Sequence, residues 1–225
     1  MIAAPQAVPS VLLVLFDVDG TLLLSHDPLV GEAMLHAARE LFGVDVDVDA
    51  LAPGETALRQ GRELGLAGPD LPRWCTRVGE RYVELLARAD TTNWQAPDGV
   101  EATLREVAAV AKTALLTGNP EPMARARMER LGLARFFAPG EGAFGCESED
   151  RTRLIELARE RSDGWPAEDT VAVGDTPLDV AGGHAAGIRV VGVESHRFGA
   201  ASLAGADARI SALSSLPEAL SSLRP

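Results

Sequence analysis

Cysteine is scarce in this chain, and lysine scarcer: there are two cysteines, and Lys112 is the only lysine. Cys75 and Cys146 stand far apart and outside any metal-ligand spacing, so a disulfide framework is not expected. The default is a reducing compartment and a cytoplasmic protein. The apolar run Val11–Phe16 is short and has no basic residue before it, which makes it a strand candidate rather than a signal peptide or membrane span. Neither G-x-x-x-x-G-K-[ST] nor a strand-following G-x-G-x-x-G occurs, so nucleotide-cofactor binding has no support. Aromatics make up 4% of the chain, and Trp74, Trp94 and Trp165 are read as packing residues. There is no internal repeat. Positive charge is outnumbered, with 21 Lys and Arg against 33 Asp and Glu and a formal net charge of −12. That balance argues against nucleic acid and anionic membranes as partners. It also requires an anionic substrate to meet a local positive charge.

Hydrophobic residues make up 46% of the 225, with mean hydropathy +0.05, enough for one core or a core with a smaller appendage. Val11–Phe16 is followed by similar apolar runs at Thr113–Leu116, Thr170–Val173 and Ile188–Val193. Such continuous runs are expected of strands buried on both faces of a parallel sheet. Helical patterns lie between most of them. Asn119-Pro120 reads as an N-cap and first helical position, with Gly132 as the stop; Thr176-Pro177 with Gly187 repeats that grammar. Glu149–Arg161 is a further helix. Alternating strands and helices predict a Rossmann-like, doubly wound α/β fold. Asp27 to Asp90 breaks the alternation, with helical patterns over 28–43, 55–64 and 71–89 and no strand. We read residues 25–93 as an α-helical second domain, inserted into a core made of 1–24 and 94–225. The crossings lie near Leu22–His26 and Asn93–Gly99. The chain is expected to be a monomer or homodimer.

Ligands of an open parallel sheet sit beyond the carboxyl ends of its strands. Three strands end there in polar chemistry: Asp17-Val18-Asp19-Gly20-Thr21, Thr117-Gly118-Asn119, and Gly174-Asp175-Thr176-Pro177-Leu178-Asp179. Asp17, Asp19, Asp175 and Asp179 would then converge on one small volume. Like charges so close raise one another's pKa values, and a hard divalent cation with oxygen ligands, Mg²⁺ above all at phosphate sites, resolves the conflict. Beside such a cation a carboxylate can attack phosphorus. A second carboxylate two positions on can protonate the leaving oxygen and then deprotonate water. The Thr117 hydroxyl and free N–H groups can hold phosphoryl oxygens, while Gly20 and Gly118 permit close backbone approach.

In order and spacing these motifs resemble those of the haloacid dehalogenase-like hydrolases. D-x-D-G-T is matched by Asp17–Thr21, the strand-terminal Ser or Thr by Thr117, and G-D-x-x-x-D by Gly174–Asp179. The helical insert stands where relatives carry an α-helical cap. The resemblance implies a Mg²⁺-dependent phosphatase acting on a small phosphorylated metabolite through an aspartyl-phosphate. Asp17 would be the nucleophile and Asp19 the general acid/base. The metal would be held by Asp17, the Asp19 main-chain carbonyl and Asp175, with support from Asp179; phosphate would lie near Gly20, Thr117, Gly118 and Asn119. The family's usual lysine between the second and last motifs is missing, since Lys112 precedes Thr117. Arg151 is the candidate substitute, with Arg153 second. In the cap, Thr56, Arg59 and Arg62 are candidates for contacting the rest of the substrate; His26 and His36 are assigned nothing. A phosphonate-cleaving relative would need a cap lysine, and a dehalogenase would not use Asp19. The rivals left are a sugar-phosphate mutase and a non-catalytic binding protein on a decayed scaffold.

Overall fold

The computed structural model describes residues 12–223. Val11, the first residue of the expected strand, lies outside that range. Six parallel strands form one sheet in the order β3-β2-β1-β4-β5-β6, where β1 is Leu12–Phe16, β2 Ala111–Thr117, β3 Ala143–Phe144, β4 Thr170–Gly174, β5 Arg189–Val193 and β6 Ala208–Ile210. The expected α/β fold is the observed one. β1 is central and every residue in it is buried. Side chains alternate between the faces of a strand, so Leu12, Val14 and Phe16 enter one core and Leu13 and Leu15 the other. Helices α4 (Val100–Ala108), α5 (Glu121–Arg130) and α8 (Leu216–Ser222) close the first face, and α6 (Arg151–Arg161) and α7 (Pro177–Ala185) the second. The edge strands β3 and β6, two and three residues long, are too short to show a period in the sequence.

The strandless stretch folds into α1 (Leu29–Phe42), α2 (Ala57–Glu63) and α3 (Asp70–Leu86), with a core of its own around Met34, Leu71, Trp74, Val78 and Tyr82. Met123 of α5 enters that core. The outgoing and returning chains are bonded side by side: Leu24 N–H donates to Gln95 at 2.8 Å, and Gln95 N–H to the Ser25 hydroxyl at 2.7 Å. Trp74 is fully buried, while Trp94 and Trp165 pack half-buried against the cores.

Two local expectations are corrected. Cys75 of α3 and Cys146, just after β3, are joined in a disulfide across 71 residues of sequence. Their distance in sequence concealed a proximity that only the fold creates. Asn119 does not cap α5, which begins at Glu121 after Pro120; its side chain is used in the site instead. Thr176 does cap α7, in a reciprocal box with Asp179.

Candidate active site

β1, β2 and β4 end side by side, because β1 pairs with both of the others in parallel register. Their carboxyl ends therefore deliver Asp17, Thr117 and Asp175 to one edge, as the topology demands. Asp17 and Asp175 are buried, and α7 adds buried Asp179. Oxygens of these three carboxylates lie within 4.8 Å of one another. Gly20 makes room for the cluster. It sits at φ +79°, and a Cβ there would stand 2.1 Å from Asp175 Oδ2, so only glycine fits. Its own N–H donates to Leu23.

Arg151 enters from the start of α6. Its guanidinium is buried, lies 3.3 Å from Asp17 Oδ1, and donates to Asp179 Oδ1. Asp179 Oδ2 accepts from the Thr176 N–H at 2.9 Å and hydroxyl at 2.8 Å. Both oxygens of Asp179 are thus engaged. Asp175 Oδ1, by contrast, is buried and finds no partner among the described residues. Arg153, two residues along, is exposed and paired with Glu156 and Glu160. Lys112 pairs with Glu141 and Asp163 at the opposite end of the sheet.

The electrostatics follow from this crowding. Burial, then the charge of Asp179, pushes the Asp17 carboxyl well above its ordinary range, against the pull of Arg151. Burial likewise raises Asp175 to about 6, with Asp179 and Asp19 adding to it. Burial alone would lower Arg151, but Asp179 and Asp17 more than offset it and hold the guanidinium charged. Fully ionised, the three carboxylates against one guanidinium would leave two uncompensated negative charges. With an all-oxygen donor set and one orphaned buried oxygen, the cluster fits a hard divalent cation.

Asp19 stands apart from the three, with a half-exposed side chain. It accepts from Asn119 Nδ2, which also donates to Thr117 Oγ1 at 3.1 Å. Both Asp19 oxygens accept from Arg127 Nη1 at 2.9 Å. Arg127 is fully buried in α5 and also bonds Asp27 and the Tyr82 hydroxyl. Sequence reasoning missed Arg127, Asp27 and Tyr82. Within "MARARMER" nothing distinguishes the fully buried arginine from half-buried Arg125 and exposed Arg130.

Asp17, Asp19, Thr117, Asn119, Arg127 and Arg151 line a cavity of about 740 Å³ roofed by the helical insert and bordered by His196–Phe198 after β5. The three candidates of the insert do not meet it as a set. Thr56 is buried and caps α2 by accepting from Arg59 N–H. Arg59 is half-exposed and paired with Glu63, and Arg62 is exposed and paired with Glu149; neither lines the cavity. Gly118 lies under the insert, its carbonyl accepting from Ala57 N–H at 2.8 Å.

The sequence matches the haloacid dehalogenase-like hydrolase family over residues 11–187. The chain belongs to that family. No curated protein matches it significantly. Among solved structures it is similar to CbbY from Rhodobacter sphaeroides in complex with phosphate, at 22% identity over 92% of this chain and 96% of that one, with a TM-score of 0.70. A structure of a CbbY mutant with xylulose-(1,5)bisphosphate aligns at 21% identity over 92% and 96%, TM-score 0.69. β-Phosphoglucomutase from Clostridium difficile aligns at 16% identity over 95% and 97%, TM-score 0.68. This member is a hydrolase of the family's fold, and no helix among its described residues is long and apolar enough to cross a membrane.

Proposed function

We propose that the protein is a Mg²⁺-dependent phosphatase that hydrolyses a small phosphomonoester through an aspartyl-phosphate. One observation carries the reading: Asp17 and Asp19 border a single cavity together with Thr117, Asn119 and buried Arg151. An Asp17 oxygen attacks phosphorus, the bond to the leaving oxygen breaks, and Asp19 gives that oxygen its proton. Asp19, now a carboxylate, takes a proton from water, whose oxygen attacks the same phosphorus. Inorganic phosphate leaves and Asp17 is regenerated. Arg151, with Thr117 and Asn119, offers donors where charge develops on the phosphoryl oxygens. Mg²⁺, held by Asp17, Asp175 and the Asp19 main-chain carbonyl with Asp179 in support, would supply the charge that lets a phosphate dianion approach carboxylates. The insert, residues 25–93 in this reading, serves as a cap that excludes bulk water and selects the leaving group.

The test is a single-turnover reaction quenched in acid. A phosphoryl group should be found on Asp17, and Asp17→Asn should abolish both the adduct and phosphate release while the protein stays folded. Appreciable turnover by pure Asp17→Asn protein rules the covalent route out.

A further inference from the structure

The leaving group's side of the cavity has a chemistry of its own. Its cap wall carries an aliphatic patch, Val30, Met34 and Leu35 of α1 with Val48 and Leu51 of the following turn, beside the polar Ser25, His26 and Gln60. The ionic side chains on that wall are acidic, namely Glu32, Asp49 and Glu55 besides Asp27, whose charge Arg127 neutralises, and it carries neither Lys nor Arg. Arg127 and Arg151 line the cavity too. Both are committed, the first to Asp19 and Asp27 and the second to Asp17 and Asp179. Arg151 answers to the one phosphoryl group being transferred. What is left for a second anion is Arg197, exposed on the loop after β5, with the exposed imidazoles of His26 and His196.

We infer that the substrate is a monophosphate whose leaving group is uncharged and largely aliphatic, rather than a bisphosphate or a phosphorylated acid. This rests on the phosphatase reading and narrows it. An anionic tail laid against this wall would lose its water and meet carboxylates without gaining a cation. An aliphatic tail gains from every methylene it removes from water. The volume, about 740 Å³, has room for a leaving group well beyond two carbons. The same inventory weighs against a mutase. Returning the phosphoryl group to a second hydroxyl of a sugar phosphate passes through a bisphosphate, and both of its phosphates need an anchor.

The experiment compares kcat/KM, with Mg²⁺, for ethyl, butyl and hexyl phosphate with that for hexyl phosphates ending in a carboxylate or a second phosphate. An activated aryl phosphate serves as the reference for basic phosphatase chemistry. We expect kcat/KM to rise from ethyl to hexyl by about threefold to fourfold per methylene, and to fall at least about tenfold when the far end is charged. Leu35→Arg, and separately Val48→Arg in the exposed turn, should reverse the order by giving the second anion a partner. Good turnover of the aryl phosphate with a flat or anion-preferring series overturns the inference and leaves the phosphatase reading standing. An anion preference that is lost in Arg197→Ala overturns it as well, and places the anchor on that loop. Absence of turnover on every ester, the aryl phosphate included, overturns both.

Discussion

Arg127, a side chain that solvent does not reach, donates to both carboxylate oxygens of Asp19 at 2.9 Å, although 108 residues separate the two in sequence. The same guanidinium bonds Asp27 at 2.8 Å and the Tyr82 hydroxyl at 3.0 Å. Asp27 opens the helical insert and Tyr82 lies in its longest helix. One buried cation therefore ties the proposed proton carrier to the roof of its own site, through fixed geometry.

Replacing Arg127 has two consequences that can be separated. Arg127→Ala leaves Asp27 buried without its cation, which should cost on the order of 3–5 kcal/mol of stability. Arg127→Lys keeps the charge but cannot fork across Asp19 and Asp27 together. It should lower kcat with little change in KM. The loss should be large for alkyl phosphates, whose leaving oxygen needs a proton, and small for an activated aryl phosphate, whose leaving oxygen does not. An equal loss on both substrates would mean that Arg127 only holds the fold together.

Arg151 and Arg153 make a sharper contrast, because one is buried against Asp17 and Asp179 and the other is solvated beside Glu156 and Glu160. Arg151→Ala should lower kcat and kcat/KM together, by ~10²–10³-fold on the scale of a lost oxyanion donor. Arg151→Lys should recover part of this, since a point charge replaces the fork. Arg153→Ala should match the parent within error. Steady-state kinetics of the three variants decide it, and a crippled Arg153→Ala would transfer the role two residues along.

The difference between these residues also shows what a sequence can and cannot display. Asp17, Thr117 and Asp175 were legible because strand-end positions in a parallel sheet are set by local pattern, and topology then brings the ends together. Arg151 was legible as a candidate only through the absence of a lysine, since an arginine at a helix start is ordinarily solvated. Arg127, Tyr82 and the Cys75–Cys146 pair were not legible. Each depends on how α3 lies against α5 and the end of β3, which is long-range packing without a local period. Arg59 and Arg62 show the converse: their sequence context resembled a substrate-facing segment, yet carboxylates within reach at Glu63 and Glu149 take them.

The acidic cluster makes the stability of the metal-free protein depend on pH. Asp175 titrates near 6 in the folded chain against an ordinary 3.8, chiefly through burial, and Asp17 is raised in the same direction. The folded state thus keeps protons that the unfolded chain releases. The resulting stabilisation is complete below the ordinary value and is lost as pH rises through about 6. Mg²⁺ should therefore raise the Tm strongly at about pH 7.5, where the carboxylates are charged, and much less at about pH 5, where protons compete for the same oxygens. Asp175→Asn should flatten this difference. Thermal melts with Mg²⁺ and with excess chelator at both pH values give the answer, and an equal Mg²⁺ shift at both would contradict the titration.

The Cys75–Cys146 bond closes a loop of 71 residues that runs from α3 through α4, β2, α5 and β3. A cross-link of that span restricts the unfolded chain most, because the entropy of loop closure grows with length. Reduction, or Cys75→Ser with Cys146→Ser, should destabilise the protein by about 4 kcal/mol on that scale. The loss should appear as a lower denaturant midpoint. Neither cysteine lines the cavity that holds the proposed catalytic residues, so kcat measured well below the transition should be unchanged in the double variant. Denaturant melts in the presence and absence of reductant, with the double variant as the control that reductant cannot affect, measure the effect directly. A parent protein whose midpoint does not move on full reduction would show that the two sulfurs contribute packing alone.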